Sequence, residues 1–426
     1  MISVQLSRLM EEPRVRDQFQ LMYGSREGAI VSQVERYARV AKRFEQSFPN
    51  NPNRVRLFSA PGRIEIGGNH TDHNHGMVLA AAVSLDTVAA AAPNGEGKAR
   101  IFSEGFDPVE VELKDLAPRD GERRTTASVV RGALARLKER GVPVEGFDAA
   151  VSSGVRTGSG LSSSAAFEVL LLTAIDSMFG GGSLDAKTRA RIAQNIENTY
   201  FGKPSGLMDQ MASSVGGLVW IDFKGGDAIV RPVAYDFAQK GYAIAVVNPG
   251  GDHSDLNDEY AAIPSEMRKV ASLLGSETLR GVRPEALESS IASLRSRGAS
   301  DRAILRAFHF FDENQRVGEQ AHALERDDLP RFFDLVNQSG ESSWKLLQNV
   351  YARADRQPLA LALEIARRFL AGQGAWRVHG GGFEGTILCF VPTAKLNAFV
   401  RRMSSVFGDH CCDLLDIRPI GATEVI

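Results

Sequence analysis

Residues 156–172 read RTGSGLSSSAAFEVLLL, a glycine- and serine-rich loop that runs straight into an apolar stretch of helical length. A helix that starts this way turns unpaired amide N–H groups, and the positive end of its dipole, toward the loop. Such an end is a ready cradle for a phosphate. Gly158 and Gly160 let the backbone approach the anion, and Ser162, Ser163 and Ser164 add hydroxyls for phosphate oxygens or Mg²⁺. The string alone fits a serine-capped buried helix equally well. It excludes two other phosphate loops, because no lysine follows the glycines and the third glycine of a dinucleotide fingerprint is missing.

Outward from this loop, strand and helix patterns mix. FDAAVSSGV before it reads as a strand, and TTASVVRGALARLKERG has the period of an amphipathic helix ended by Gly141. Further upstream, RVRLFSAPGR predicts a strand running into a turn at Pro61–Gly62, and MVLAAAVSLDTVAAAAP and KARIFSEGFDPVEVEL predict strands. Residues 1 to about 50 carry helical spacing. After GLVWIDF and Gly225–Gly226 the texture changes. Helical patterns dominate from Asp258 to Leu370, broken around SLRSRGAS, before a strand–GGG–strand unit (WRVHGGGFEGTILCFV) and a last helix near AKLNAFVRRMSSVFG. Mixed elements in two halves predict an α+β protein with a boundary near residue 225.

The composition narrows the class. A chain of 426 residues is long enough for two cores. Fifty basic against 52 acidic residues give no net field for nucleic acid or an anionic membrane. Three cysteines, two of them adjacent (Cys411, Cys412), make no disulfide framework and suit a reducing compartment. The first 20 residues are too charged for a signal peptide, and no apolar run approaches a membrane span. A cytoplasmic protein is expected.

Three further clusters carry chemistry. In GGNHTDHNHG (67–76), His70, Asp72, His73 and His75 raise the question of zinc. The i, i+3 spacing of His70 and His73, with no cysteine near, argues against a metal site. In IENTYFGKPSGLMDQMASSVGG (196–217), Glu197 ends one helical pattern and Asp209 opens another. Two carboxylates that can converge from separate elements suit metal binding plus a base, or simply an N-cap and a solvated glutamate. In HGGGFEG (379–385), three glycines between strands allow either a close approach to a ligand or a tight turn.

Taken in order, these blocks resemble the GHMP small-molecule kinases and, within them, the galactokinase family. SAPGRIEIGGNHTDHNHGMVL is similar to the family signature, Pro-Gly-Arg followed by Gly-Glu-His-Thr-Asp-Tyr-Asn. GSGLSSSAAFEV resembles the phosphate loop and GLMDQ the segment of the catalytic aspartate, while RAFHFFDENQRV and HGGGFEG resemble later blocks. The resemblance implies a two-domain GHMP kinase fold. Residues 1–50 would form a helical extension. Residues 51–225 would form an N-terminal domain with a left-handed β-α-β unit like that of ribosomal protein S5, and 226–426 a ferredoxin-like α/β C-terminal domain. It implies ATP-dependent phosphorylation of galactose at its 1-hydroxyl. Asp209 would be the base and Arg63 would lie beside the reacting hydroxyl, with Mg²⁺ on Ser164 and Glu197. Gly158, Ser159, Gly160, Leu161, Ser162, Ser163 and Ser164 would wrap the ATP phosphates. Asn69, His70, Asp72, Gly206 and Tyr260 would contact the sugar. A monomer with no nucleic-acid or membrane partner is expected.

Departures from the signature bear on the substrate. The family's glutamate before His-Thr-Asp is Asn69 here, and its tyrosine after the aspartate is His73. By the resemblance, that glutamate accepts from the sugar's 6-hydroxyl, whereas an amide would also tolerate a carboxylate at C6. Relatives acting on galacturonate share this pattern, so galacturonate or another sugar is an alternative substrate. A catalytically silent sugar sensor is a second alternative, but such regulators have lost residues of the serine–alanine loop that are present here. Glu384 stands where the family has a glycine.

Overall fold

The computed structural model describes residues 12–24, 27–156, 158–225, 227–250 and 256–426. Gly226 and the first eleven residues, on which part of the sequence reading fell, lie outside that set.

The strand that carries Arg63 does not turn at Pro61–Gly62. β1 runs unbroken as Arg56–Gly67, with register shifts against its neighbour between Pro61 and Arg63 and between Glu65 and Gly67. The physical reason is a close approach. A Cβ on Gly62 would sit 2.9 Å from the Leu161 carbonyl, so glycine here lets the phosphate loop lie against the strand. The irregularity re-aims the strand without ending it.

β2 (Met77–Pro93) pairs antiparallel with β1 along nearly its whole length. β3 (Lys98–Ser103), β4 (Val109–Glu112) and β5 (Phe147–Ser153) extend this sheet on one side. β6 (Leu218–Asp222) pairs with β2, and β7 (Ile229–Pro232) with β6. A second, four-stranded sheet takes β8 (Tyr242–Val247), β9 (Ala375–His379), β10 (Thr386–Pro392) and β11 (Cys412–Leu415) in the order β11-β8-β10-β9. The last residues then leave it. β12 (Thr423–Glu424) pairs with Phe58 and Ser59 of β1, and the first sheet has the path β12-β1-β2-β5-β3-β4.

The alanine-rich β2 is buried on both faces, and the period-2 alternation of a strand sorts its residues. Ala89 and Ala91 join Ala60 and Ala149 under the helices Thr126–Glu139 and Ser163–Phe179. Val88, Ala90 and Ala92 join Leu57 under Phe19, Tyr37 and Phe44 of the N-terminal helices Pro13–Tyr23 and Glu27–Ser47. Between the layers Asp86, fully buried, accepts from Tyr23, Arg36, Ser59 and Arg418 at 2.5–3.0 Å. Burial alone would raise its pKa, but Arg36 and Arg418 outweigh it and hold the carboxyl below its ordinary range. No helix among the described residues is long and apolar enough to cross a membrane.

Candidate active site

The phosphate loop enters its helix at Ser163. Ser162 occupies the N-cap in a left-handed backbone (φ 61°) but does not cap with its side chain. Its hydroxyl instead donates to Asp209 Oδ2 at 2.6 Å. Ser162 therefore does not close the helix end, and the first-turn amides keep their capacity to bind an anion.

Asp209 lies in the first turn of the helix Met208–Val215. Arg63, from β1, grips it as a fork, Nε to Oδ1 at 2.6 Å and Nη2 to Oδ2 at 2.5 Å, and also bonds the Gly160 carbonyl. Burial would raise the aspartate, yet the charge of Arg63 and the Ser162 hydrogen bond hold its pKa below the ordinary value. The carboxylate is ionised at neutral pH and 29% exposed, into a cavity of about 860 Å³.

On one side of this centre, the helix Ala186–Ile196 widens into a π-helical turn, Glu197–Phe201. Such turns are frequent at functional sites. This one places Glu197 Oε1 3.5 Å from the Ser164 hydroxyl and 3.1 Å from Lys203 Nζ, while Gln210 donates to Oε2 at 2.7 Å. Gln210 also reaches Glu168, whose carboxyl burial and then the nearby Glu197 push well up.

On the other side lie the histidines. His70 has a left-handed backbone (φ 57°), and its Nε2 meets the Gly381 carbonyl at 3.0 Å. That nitrogen must carry the proton, which leaves Nδ1 as the acceptor. Burial, then His73, push its pKa down to about 3, so the ring is neutral. His70 and His73 stack at 5.8 Å, and among the described residues no group of three His, Cys, Asp or Glu side chains is placed to share a metal. Asp72 faces the backbone of Gly206, where a Cβ would lie only 1.6 Å from its Oδ2. Tyr260, on the helix Asn257–Leu273, donates to the Gly382 carbonyl at 3.1 Å and lies across Gly381, where a Cβ would meet its ring at 2.5 Å. Glu384, in this glycine loop, is buried, and burial together with its charge raises the Tyr260 phenol to about 12.

One expected sugar contact is corrected. Asn69 is fully buried and does not line the cavity. Its amide donates to Glu65 Oε1 at 2.9 Å and to the Gly380 carbonyl, and its oxygen accepts from Asn349 at 2.8 Å and Ser343 at 3.2 Å. Four protein partners leave it nothing for a ligand. Its hydrogen-bond partner Glu65 does line the cavity.

The family models match in the same places. One described as "GHMP kinases N terminal domain" matches residues 128–217, and one described as "Galactokinase galactose-binding signature" matches 42–93. A galactokinase of Streptomyces coelicolor is 32% identical over 374 residues, 87% of this chain and 92% of that protein. A galactokinase of Mycobacterium tuberculosis is 34% identical over 341 residues, 79% of this chain and 89% of its own length. The chain belongs to the galactokinase family. Its fold is the two-domain α+β fold of the GHMP kinases. A crystal structure of Lactococcus lactis galactokinase complexed with galactose superposes with a TM-score of 0.80 at 24% identity, covering 91% of this chain and 99% of that one. A Methanococcus jannaschii mevalonate kinase gives 0.62 at 15% identity, covering 87% and 99%.

Within this galactokinase-family frame, Glu65, Lys203 and His379 are among the cavity residues that escaped the sequence reading. His379 accepts from the Glu65 amide at Nε2 (3.1 Å), and its Nδ1 lies 3.0 Å from Thr386 Oγ1, which donates to the Ser159 carbonyl. Burial, then Arg63, push its pKa far down, so it is a neutral strut between β1 and the phosphate loop. Its only signal in the sequence was its position at the head of HGGGFEG.

Proposed function

We propose that the chain is an ATP-dependent sugar 1-kinase acting on galactose. The observation that carries this is the cluster of Arg63, Ser162 and Asp209 at the mouth of a serine-rich helix start. Phosphoryl transfer is chiefly positioning and charge neutralisation. In this reading Asp209, kept ionised by Arg63, accepts the proton of the attacking hydroxyl, and Arg63 fixes that carboxylate and faces the developing charge. The amides and hydroxyls of residues 158–164 hold the ATP phosphates, and His70, Asp72, Gly206 and Tyr260 bound the sugar subsite. Asn69 drops out as a sugar ligand, and with it the argument that its amide admits a uronate. We infer a cytoplasmic monomer, divided near residue 225, with the final strand returned to the N-terminal unit.

Ser164 and Glu197, hard oxygen donors side by side at the phosphate end, fit Mg²⁺. When bound there it would neutralise phosphate charge. Chelation with EDTA should abolish turnover and Mg²⁺ should restore it. Stoichiometric zinc in the purified protein, lost together with activity in His70→Ala, would overturn that assignment.

The deciding experiment is ADP release with galactose, galacturonate, N-acetylgalactosamine and arabinose. Galactose should be the best acceptor, and no acceptor-dependent ADP with any of them would end the kinase reading. A second expectation concerns Gly206. Its replacement by alanine must displace the Asp72 carboxylate. Loss of one charged hydrogen bond is worth about 1.5–3 kcal/mol, so KM for the sugar should rise by about 10- to 100-fold. KM for ATP should hold. An unchanged sugar KM would remove Asp72 from the subsite.

A further inference from the structure

Glu65 has no part in the chemistry described so far, yet it is a carboxylate on the wall of the catalytic cavity. The register of β1 against β2 is unbroken through Arg63, Ile64 and Glu65, so Arg63 and Glu65 project from the same face of the strand. They are about 7 Å apart along it. Arg63 marks the reacting end, because it holds Asp209. Glu65 therefore sits about one pyranose ring's width further in, on the side of His70.

Its two oxygens are used unequally. Oε1 accepts from Arg377 Nη2 at 2.6 Å and from Asn69 Nδ2 at 2.9 Å. Oε2 accepts from none of the described residues, and it is not among the buried atoms left without a partner. A carboxylate serving only to neutralise Arg377 would offer it both oxygens in a fork. Here one oxygen anchors the group and the other opens to the cavity. The anchor is rigid. Arg377 is fully buried and further fixed by the carbonyls of Ile66 (2.7 Å) and Val378 (2.9 Å), and Asn69 by Asn349 and Ser343.

We propose that Glu65 is a specificity-determining residue: its Oε2 accepts a hydrogen bond from a sugar hydroxyl at the end of the ring away from the reacting one, and it disfavours hexuronates. A hydroxyl can donate to this oxygen in a charge-assisted bond, whereas a second carboxylate at that distance is repelled unless one of the two takes up a proton. The proposal rests on the sugar-kinase reading above and fixes the class of sugar as neutral.

The test is kcat/KM for galactose, galacturonate, 4-deoxygalactose and 6-deoxygalactose in wild type and Glu65→Gln, at about pH 8. Wild type should prefer galactose to galacturonate by about a hundredfold or more, the scale of a like-charge clash in a desolvated site. Glu65→Gln should collapse that preference. One deoxy sugar should lose about 10- to 100-fold in wild type, the worth of a charged hydrogen bond, and little further in the variant. Equal losses on every sugar, with the ratios unchanged, would show that Glu65 only supports Arg377 and would overturn the proposal. Should the variant fail to fold, wild type alone decides, since comparable use of galacturonate and galactose sinks the idea. Absence of turnover by wild type on all four sugars is a different result, and it strikes the kinase reading itself.

Discussion

Asparagine in place of Asp209 lowers turnover by about 10²- to 10⁴-fold, the range of a positioned general base, while ATP still binds. The substitution keeps shape and removes charge. Arg63 now reaches Asp209 through two N–H groups, one on each carboxylate oxygen. An amide has only one oxygen to offer, so one arm of the fork meets an NH₂ group. The hydroxyl to be phosphorylated then lacks an ionised acceptor, and Arg63 loses the charge that orients it. Of the phosphate cradle, residues 158–164, only the Ser162 hydroxyl bonds Asp209, and the amides of the helix start are not bonded to it, so nucleotide affinity should survive. The measurement is single-turnover ADP formation beside an ATP-binding titration. Retention of more than half the wild-type rate would take Asp209 out of the chemistry.

Glutamate in place of Asn69 should unfold the protein far more readily rather than retune its substrate choice. From the sequence alone this change would exchange one sugar ligand for another. In the structure the side chain is fully buried, 2.9 Å from Glu65 Oε1. A glutamate there sets two carboxylates against each other and deletes the donor to the Gly380 carbonyl. An uncompensated buried charge costs about 3–5 kcal/mol. Glu65 already sits high, pushed up to about 7 by burial against the pull of Arg377 and Arg63, so the pair answers the added charge by taking up a proton. The sign of the pH dependence follows. The folded variant holds a proton that the unfolded chain has released, so its stability falls as pH rises above the usual carboxylate range, and the deficit is smaller near pH 5 than near pH 8. Thermal melts at the two pH values check this. A melting temperature equal to wild type at both would show that position 69 tolerates a charge.

The contrast between these two positions shows what the sequence could disclose. Asp209, Ser162 and Arg63 come from three separate motifs, each with a chemical reason of its own, and the structure brings Ser162 and Arg63 each within 2.5–2.6 Å of Asp209. Asn69 and Glu65 gave no such warning. Their surroundings are made by Arg377, Asn349 and Ser343, about 300 residues downstream, and no local period encodes those contacts. Glu65 reads as one polar residue in the apolar run IEIGG. The turn expected at Pro61–Gly62 failed for a similar reason, because what Gly62 accommodates is the carbonyl of Leu161. The helices, the alanine-rich strand and the glycine-loop hairpin were legible because their periodicity is local.

The return of the chain to its first sheet has a consequence for biosynthesis. β1 is made early, but its edge is completed by Thr423 and Glu424, and the buried Asp86 receives Arg418 from the same late segment. Until those residues leave the ribosome, β1 exposes an unpaired edge and Asp86 lacks one of its two cations. The N-terminal unit therefore cannot finish folding ahead of the C-terminal one, as vectorial domain-by-domain folding would have it. A nascent chain stalled just short of Arg418 should be protease-sensitive in β1 as well as at its growing end, and chaperones should hold it until the last strand closes.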